Sequence, residues 1–119
     1  MVIMDRREKQ SFIREVALQN QSDPEGMKIL WSRHGVAELV NEGWRRDQVE
    51  TALQSGELIE DYPTLHRPLP DCLVLGWLAT GEPFHVVVAV DEANRRLFVV
   101  TVYKPTSEEW NDDWRTRKE

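Results

Sequence analysis

A chain of 119 residues holds one domain's worth of core, and 40% hydrophobic with 30% charged side chains is the balance of a water-soluble globular fold. A net charge of −6 argues against a simple nucleic-acid coat protein, and a lone cysteine, Cys72, excludes an internal disulfide and a multi-cysteine zinc site. The longest uncharged, mostly apolar run, residues 72–81, falls well short of the ~20 residues of a membrane span, and Asp5, Arg6, Arg7, Glu8 and Lys9 interrupt any leader-like stretch, so a cytoplasmic, membrane-free protein with no structural metal and no cofactor is expected.

Residues 5–19 read as a helix, with Phe12, Ile13, Val16 and Ala17 at helical spacing and charges opposite. Ser22, Asp23, Pro24 and Gly26 then break the chain, which marks residues 1–26 as an N-terminal helical extension to a domain over 27–119. Ser32 is placed to cap a second helix over 33–42, with the stripe Val36, Leu39 and Val40, and Gly43 to stop it in a left-handed turn. A third helix over 46–55 carries Val49, Ala52 and Leu53 inward and ends at Gly56. The short Gly43–Trp44–Arg45 turn makes the two a helical hairpin.

Beyond Gly56 the period changes. Residues 57–62 form a short extended segment, and the three prolines of residues 63–70 enforce a loop. Three Val- and Leu-rich runs, 72–79, 84–91 and 97–104, are joined by connections short enough for hairpins. The tail holds Trp110 and Trp114 four apart, on one face if it is helical and capping an end of the sheet. The expectation is an α+β domain: two or three N-terminal helices on one face of a three- to four-stranded antiparallel meander, closed by a short helix or tail.

Three histidines could carry chemistry. His34 lies in the first turn of the second helix, and a neutral imidazole there can act as a general base near pH 7. Alternation puts His85 with Val87 and Ala89, opposite the apolar set Phe84, Val86, Val88 and Val90, and so on the more open sheet face. His66 sits in the proline loop. Tyr103 shares a face with Thr101 at the end of the last strand, while Val100, Val102 and Lys104 take the other; a phenol and an ammonium at that edge can donate a proton or hold a phosphate. No segment carries a positive excess, so an anionic substrate has to be held by placed cations, with Arg33, Lys104 and Arg115 as candidates. Cys72, opening a buried-looking strand, reads as a small core hydrophobe. Most of the five tryptophans belong to the core, and Trp44, at the hairpin corner, is the one expected to be exposed as a partner anchor.

Several segments together resemble a known family. Trp31-Ser32-Arg33-His34-Gly35 opens the pattern, and Gly56-Glu57-Leu58-Ile59-Glu60-Asp61-Tyr62-Pro63 continues it. Asp71-Cys72-Leu73-Val74-Leu75-Gly76-Trp77 and Gly81-Glu82-Pro83-Phe84-His85-Val86-Val87 follow, and Val100-Thr101-Val102-Tyr103-Lys104-Pro105 with Glu109-Trp110 closes it. The ordered set resembles the bacterial DUF 4258 family (a domain of unknown function) over about residues 27–118. The resemblance implies a RelE/MqsR-like mRNA interferase, the toxin of a toxin–antitoxin pair, cleaving RNA without a metal. It places His34, His85 and Tyr103 at motif positions, and it implies a small antitoxin protein and RNA or the ribosome as partners. The family helix usually reads His-Ala followed by arginines; this chain has Gly35, Glu38 and Glu42 instead. That departure, with the acidic balance, supports the alternative of a non-catalytic interaction domain or degenerate toxin that binds a neighbouring gene product or forms a homodimer.

Overall fold

The computed structural model describes residues 4–62 and 69–119. Helix α1 spans Arg6–Ser22. Strand β1 (Ile29–Trp31) leads directly into α2 (Arg33–Glu42) and α3 (Arg46–Ala52), which a single 3-10 turn extends. Four strands follow: β2 (Glu57–Tyr62), β3 (Asp71–Trp77), β4 (Pro83–Asp91) and β5 (Arg96–Tyr103). Among the described residues no helix is long and apolar enough to cross a membrane. His66 and most of the proline loop lie outside the described residues.

The sheet corrects the expected meander. Its five strands run β1-β5-β4-β3-β2; β2 to β5 are antiparallel neighbours, but β1 pairs with β5 in parallel, Trp31 opposite Val99. The sheet is therefore mixed, and the fold is α+β with the helices packed on one face. A parallel neighbour needs a crossover, and here everything from α2 to β4 supplies it.

Each helix forms for a local reason. Asp5 caps α1 by accepting from the Glu8 amide, while the Glu8 carboxylate accepts from the Asp5 amide, a complete capping box. Ser32 caps α2 by accepting from Gly35 N at 2.8 Å. The end of α2 is a Schellman turn: Gly43, at φ 76°, donates to Val40 O, and Trp44 N donates to Leu39 O at 3.1 Å. That motif folds Trp44 back over Leu39. Trp44 is consequently buried, edge-on to Phe84 with ring centroids 6.2 Å apart, and is not the exposed anchor expected from its corner position. The exposed tryptophan is Trp77.

The helix-facing core joins Phe12, Ile13, Val16 and Ala17 of α1 with Leu39, Val49 and Leu53, and with Val74, Phe84, Val86, Val88, Leu97, Val99 and Val102 of the sheet. Cys72 is buried in it, and burial pushes its thiol up to about 12, which leaves it an inert core residue. Gly76 is required by the same packing, since a Cβ there would meet the Phe84 ring at 2.3 Å.

Helix α1 also covers an open sheet edge. From successive turns, Arg6 donates to Ile59 O, Gln10 accepts from Leu58 N, and Arg14 donates to Gly56 O at 2.8 Å. These side chains stand in for the missing neighbour of β2. Lys9, between them, is buried and paired with Asp61.

Candidate functional site

Two β-bulges decide what the second sheet face presents. In β2 the register shifts between Leu58 and Glu60. Glu57, Glu60 and Tyr62 therefore share the face away from the helices, while Leu58 and Asp61 turn toward α1. In β5 the register shifts opposite Val87 and Val88: Val88 pairs with Val99, but Val87 pairs with Thr101. Unbroken alternation from Leu97 and Val99 would turn Tyr103 toward the helices. The bulge at Val100 puts it beside His85 instead, its register partner. Thr101 and Tyr103 share a face as expected, but Val100 leaves the alternation, which corrects its assignment to a face with Val102 and Lys104.

Ser32 holds that bulge. Its hydroxyl donates to Val100 O at 2.7 Å while accepting from Gly35 N, and its amide donates to Val99 O. One residue thus ends β1, caps α2 and fixes the kink that aims Tyr103.

His85 is the centre of the second face. It is wholly buried, its ring 5.5 Å from that of Tyr103 and perpendicular to that of Trp110 at 4.4 Å. Nε2 lies 2.6 Å from the Trp114 carbonyl, which can only accept, so Nε2 carries the proton. Nδ1 is then a bare lone pair, buried and without a hydrogen-bond partner among the described residues. Burial lowers the imidazole's proton affinity, partly offset by the Trp114 carbonyl and by the charge of Glu60.

The open face expected around His85 is in fact roofed. Residues 105–119 form no helix; they turn back through a bridge between Trp110 and Arg117, and Asp113 accepts from the amides of Arg115 and Thr116. Trp110 is buried beneath this turn, and Trp114 is held at φ 60°, a left-handed conformation rare for a bulky side chain. Arg115 clamps Glu57 at 2.7 and 3.3 Å, and Arg117 clamps Glu60 at 2.6 and 3.0 Å. Arg117 also lies 4.6 Å over the Trp110 ring. Tyr62 donates to Glu60 at 2.7 Å. The Arg117 bond keeps Glu60 below the usual carboxylate range, and burial raises both phenols, Tyr62 and Tyr103, so each stays protonated near neutrality.

Of the residues singled out in the sequence, His85 and Tyr103 are brought together, and Arg115 reaches the same face, already paired to Glu57. His34 and Arg33 are exposed in the first turn of α2, where Gly35 packs against the edge carbonyls of Val99 and Val100. His34 makes no ring contact with His85 or Tyr103. Lys104 is exposed, 3.9 Å from Glu82. Sequence reasoning missed Glu57, Glu60, Tyr62 and Arg117. The first three escape simple alternation because a bulge separates Glu57 from Glu60 and Tyr62; Arg117, two residues past Arg115, had a legible signal in that spacing. Among the described residues no group of three or more His, Cys, Asp or Glu side chains is placed to hold a metal ion.

Residues 31–104, well over half the chain, match the family described as a domain of unknown function, DUF4258. The match takes in His34, His85, Tyr103, Glu57 and Glu60, and leaves out α1 and the C-terminal turn. No curated protein and no solved structure matches the chain.

Proposed function

We propose, from the premise that this chain belongs to the DUF4258 family, that it is a RelE/MqsR-like endoribonuclease whose general base is His85 and whose general acid is Tyr103. One observation carries the reading: a neutral imidazole with one nitrogen tied to a backbone carbonyl and the other an unpaired lone pair. That is the state a base needs before it acts, oriented and unprotonated. In the reaction Nδ1 takes the ribose 2′-hydroxyl proton and the 2′-oxygen attacks phosphorus. The bond to the 5′-oxygen breaks, and the Tyr103 phenol supplies that oxygen's proton. The products are a 2′,3′-cyclic phosphate and a 5′-hydroxyl. Arg33 and His34, exposed in the first turn of α2, would meet the incoming strand. The scheme needs His85 uncovered, so the turn has to move; that releases Nε2 from Trp114 O and leaves β4 and the Tyr103 ring to orient the imidazole. A small antitoxin protein is the partner this reading calls for.

The test is purified chain on mixed-sequence RNA in the presence of a chelator. Cyclic-phosphate ends are expected, with activity falling about 10²-fold or more in His85→Ala and Tyr103→Phe. Uncut RNA from the wild type, and from a variant whose roof is opened, refutes the proposal.

A second reading is favoured by the pairing of cations over His85: Arg115 and Arg117 are both engaged by carboxylates, in a chain of net charge −6. On that reading the domain is non-catalytic and binds a protein, a small neighbour or a second copy. It predicts a stable complex and no cleavage.

A further inference from the structure

We propose that the C-terminal turn, residues 105–119, is a releasable latch that holds the His85 site shut in cis. The turn is closed on itself, by the Trp110–Arg117 bridge, the bond from Lys118 N to Glu109 O, and the Asp113 side chain on two amides. It can therefore move as a unit without the sheet unravelling. Among the described residues it is tied to the body by the His85–Trp114 bond, by the Arg115–Glu57 and Arg117–Glu60 clamps, and by the Trp110 ring, buried edge-on to His85.

The polar ties suit release, and burial of Trp110 is what opposes it. Both clamps are on partly exposed side chains, where ion pairs stabilise little and salt screens them. Trp114 is held in a disfavoured backbone region, and such outliers persist only while their surroundings enforce them. The closed state also leaves Nδ1 of His85 buried without a hydrogen-bond partner among the described residues, a cost that exposure to water removes. The covered residues His85, Tyr103, Glu57 and Glu60 lie inside the family match and the covering ones outside it.

The test is acylation of histidines by diethyl pyrocarbonate on the full chain, mapped by mass spectrometry. His34, exposed on α2, reports reagent activity in every sample. In the wild type at low salt His85 is protected relative to His34. In Arg115→Ala/Arg117→Ala, and in the wild type at 1 M salt where the screening length shrinks to about 3 Å, His85 reacts about tenfold faster, with far-UV circular dichroism unchanged. Two results overturn the latch: His85 stays as slow as before, or its reactivity rises only together with loss of the helical signal, which would make the turn an integral part of the fold. RNA left uncut by a variant whose His85 reacts freely sinks the nuclease reading and leaves the latch standing.

Discussion

Ser32→Ala is the substitution that asks most of this fold for the least change in volume. The hydroxyl accepts from Gly35 N at 2.8 Å as the N-cap of α2, and donates to Val100 O at 2.7 Å at the β5 bulge. Loss of an N-cap costs about 1 kcal/mol. Loss of the second bond, at a partly buried carbonyl, costs about 1 kcal/mol more. The two contacts share one oxygen, so the total is about 2 kcal/mol. For a domain of this size that lowers the melting temperature by about 8 °C. The assay is urea unfolding of wild type, Ser32→Ala and Ser32→Thr. Thr keeps the hydroxyl and recovers most of the loss. An alanine variant within about 0.5 kcal/mol of wild type, the scatter of ordinary surface substitutions, would refute the claim that one residue clamps helix and bulge together. So would a threonine variant no better than alanine.

Acidity provides a second test. The folded state holds His85 below its ordinary value of 6.5 through burial. As pH falls through 6.5 the unfolded chain takes up that proton first, so stability is full above 6.5 and drains away as pH descends toward the folded value, with a slope of at most about 1.4 kcal/mol per pH unit. His85→Gln keeps a donor for Trp114 O and removes the titration; the difference in urea midpoint between wild type and this variant, followed from pH 7.5 to 5.5, shrinks toward acid if the linkage is real and stays flat if it is not. The edge cover is tested by Arg6→Ala/Gln10→Ala/Arg14→Ala, which strips the partners of Ile59 O, Leu58 N and Gly56 O. An unpaired strand edge recruits other strands, so light scattering rises with concentration beyond the wild type's while helix content holds. Scattering equal to the wild type's would show that α1's backbone alone shields the edge.

The sequence carried the helices and the antiparallel strands because their signals are local. Ser32 and Gly43 bracket α2 at its observed ends, and alternation in β4 puts Phe84, Val86, Val88 and Val90 against the helices as expected. Strand β1 was invisible. Three residues show no alternation, and their partner, β5, lies some seventy positions away. The tail misled for an energetic reason. Spacing of Trp110 and Trp114 by four suits a helix, but Asp113 satisfies the amides of Arg115 and Thr116 with its side chain and stabilises a turn. Trp44 was misjudged although its signal was present: an apolar residue directly after a helix-ending glycine is the position that a Schellman turn folds inward.

The site was half legible for a related reason. His85 and Tyr103 share a face by parity only if one bulge is granted, and Glu57 joins Glu60 and Tyr62 only if a second is. A bulge costs ladder hydrogen bonds, so it persists where something else satisfies the freed groups. Here Ser32 satisfies Val100 O near one end of the strand order, and Arg6 satisfies Ile59 O at the other. Both supports come from the helical layer, yet both act on what the opposite face displays. Ser32 thus supports the β5 bulge that keeps Tyr103 beside His85, and Arg6 the β2 bulge that puts Glu57 with Glu60 and Tyr62. The helices therefore do more than bury one side of the sheet: through a serine hydroxyl and an arginine they set which side chains its other side shows.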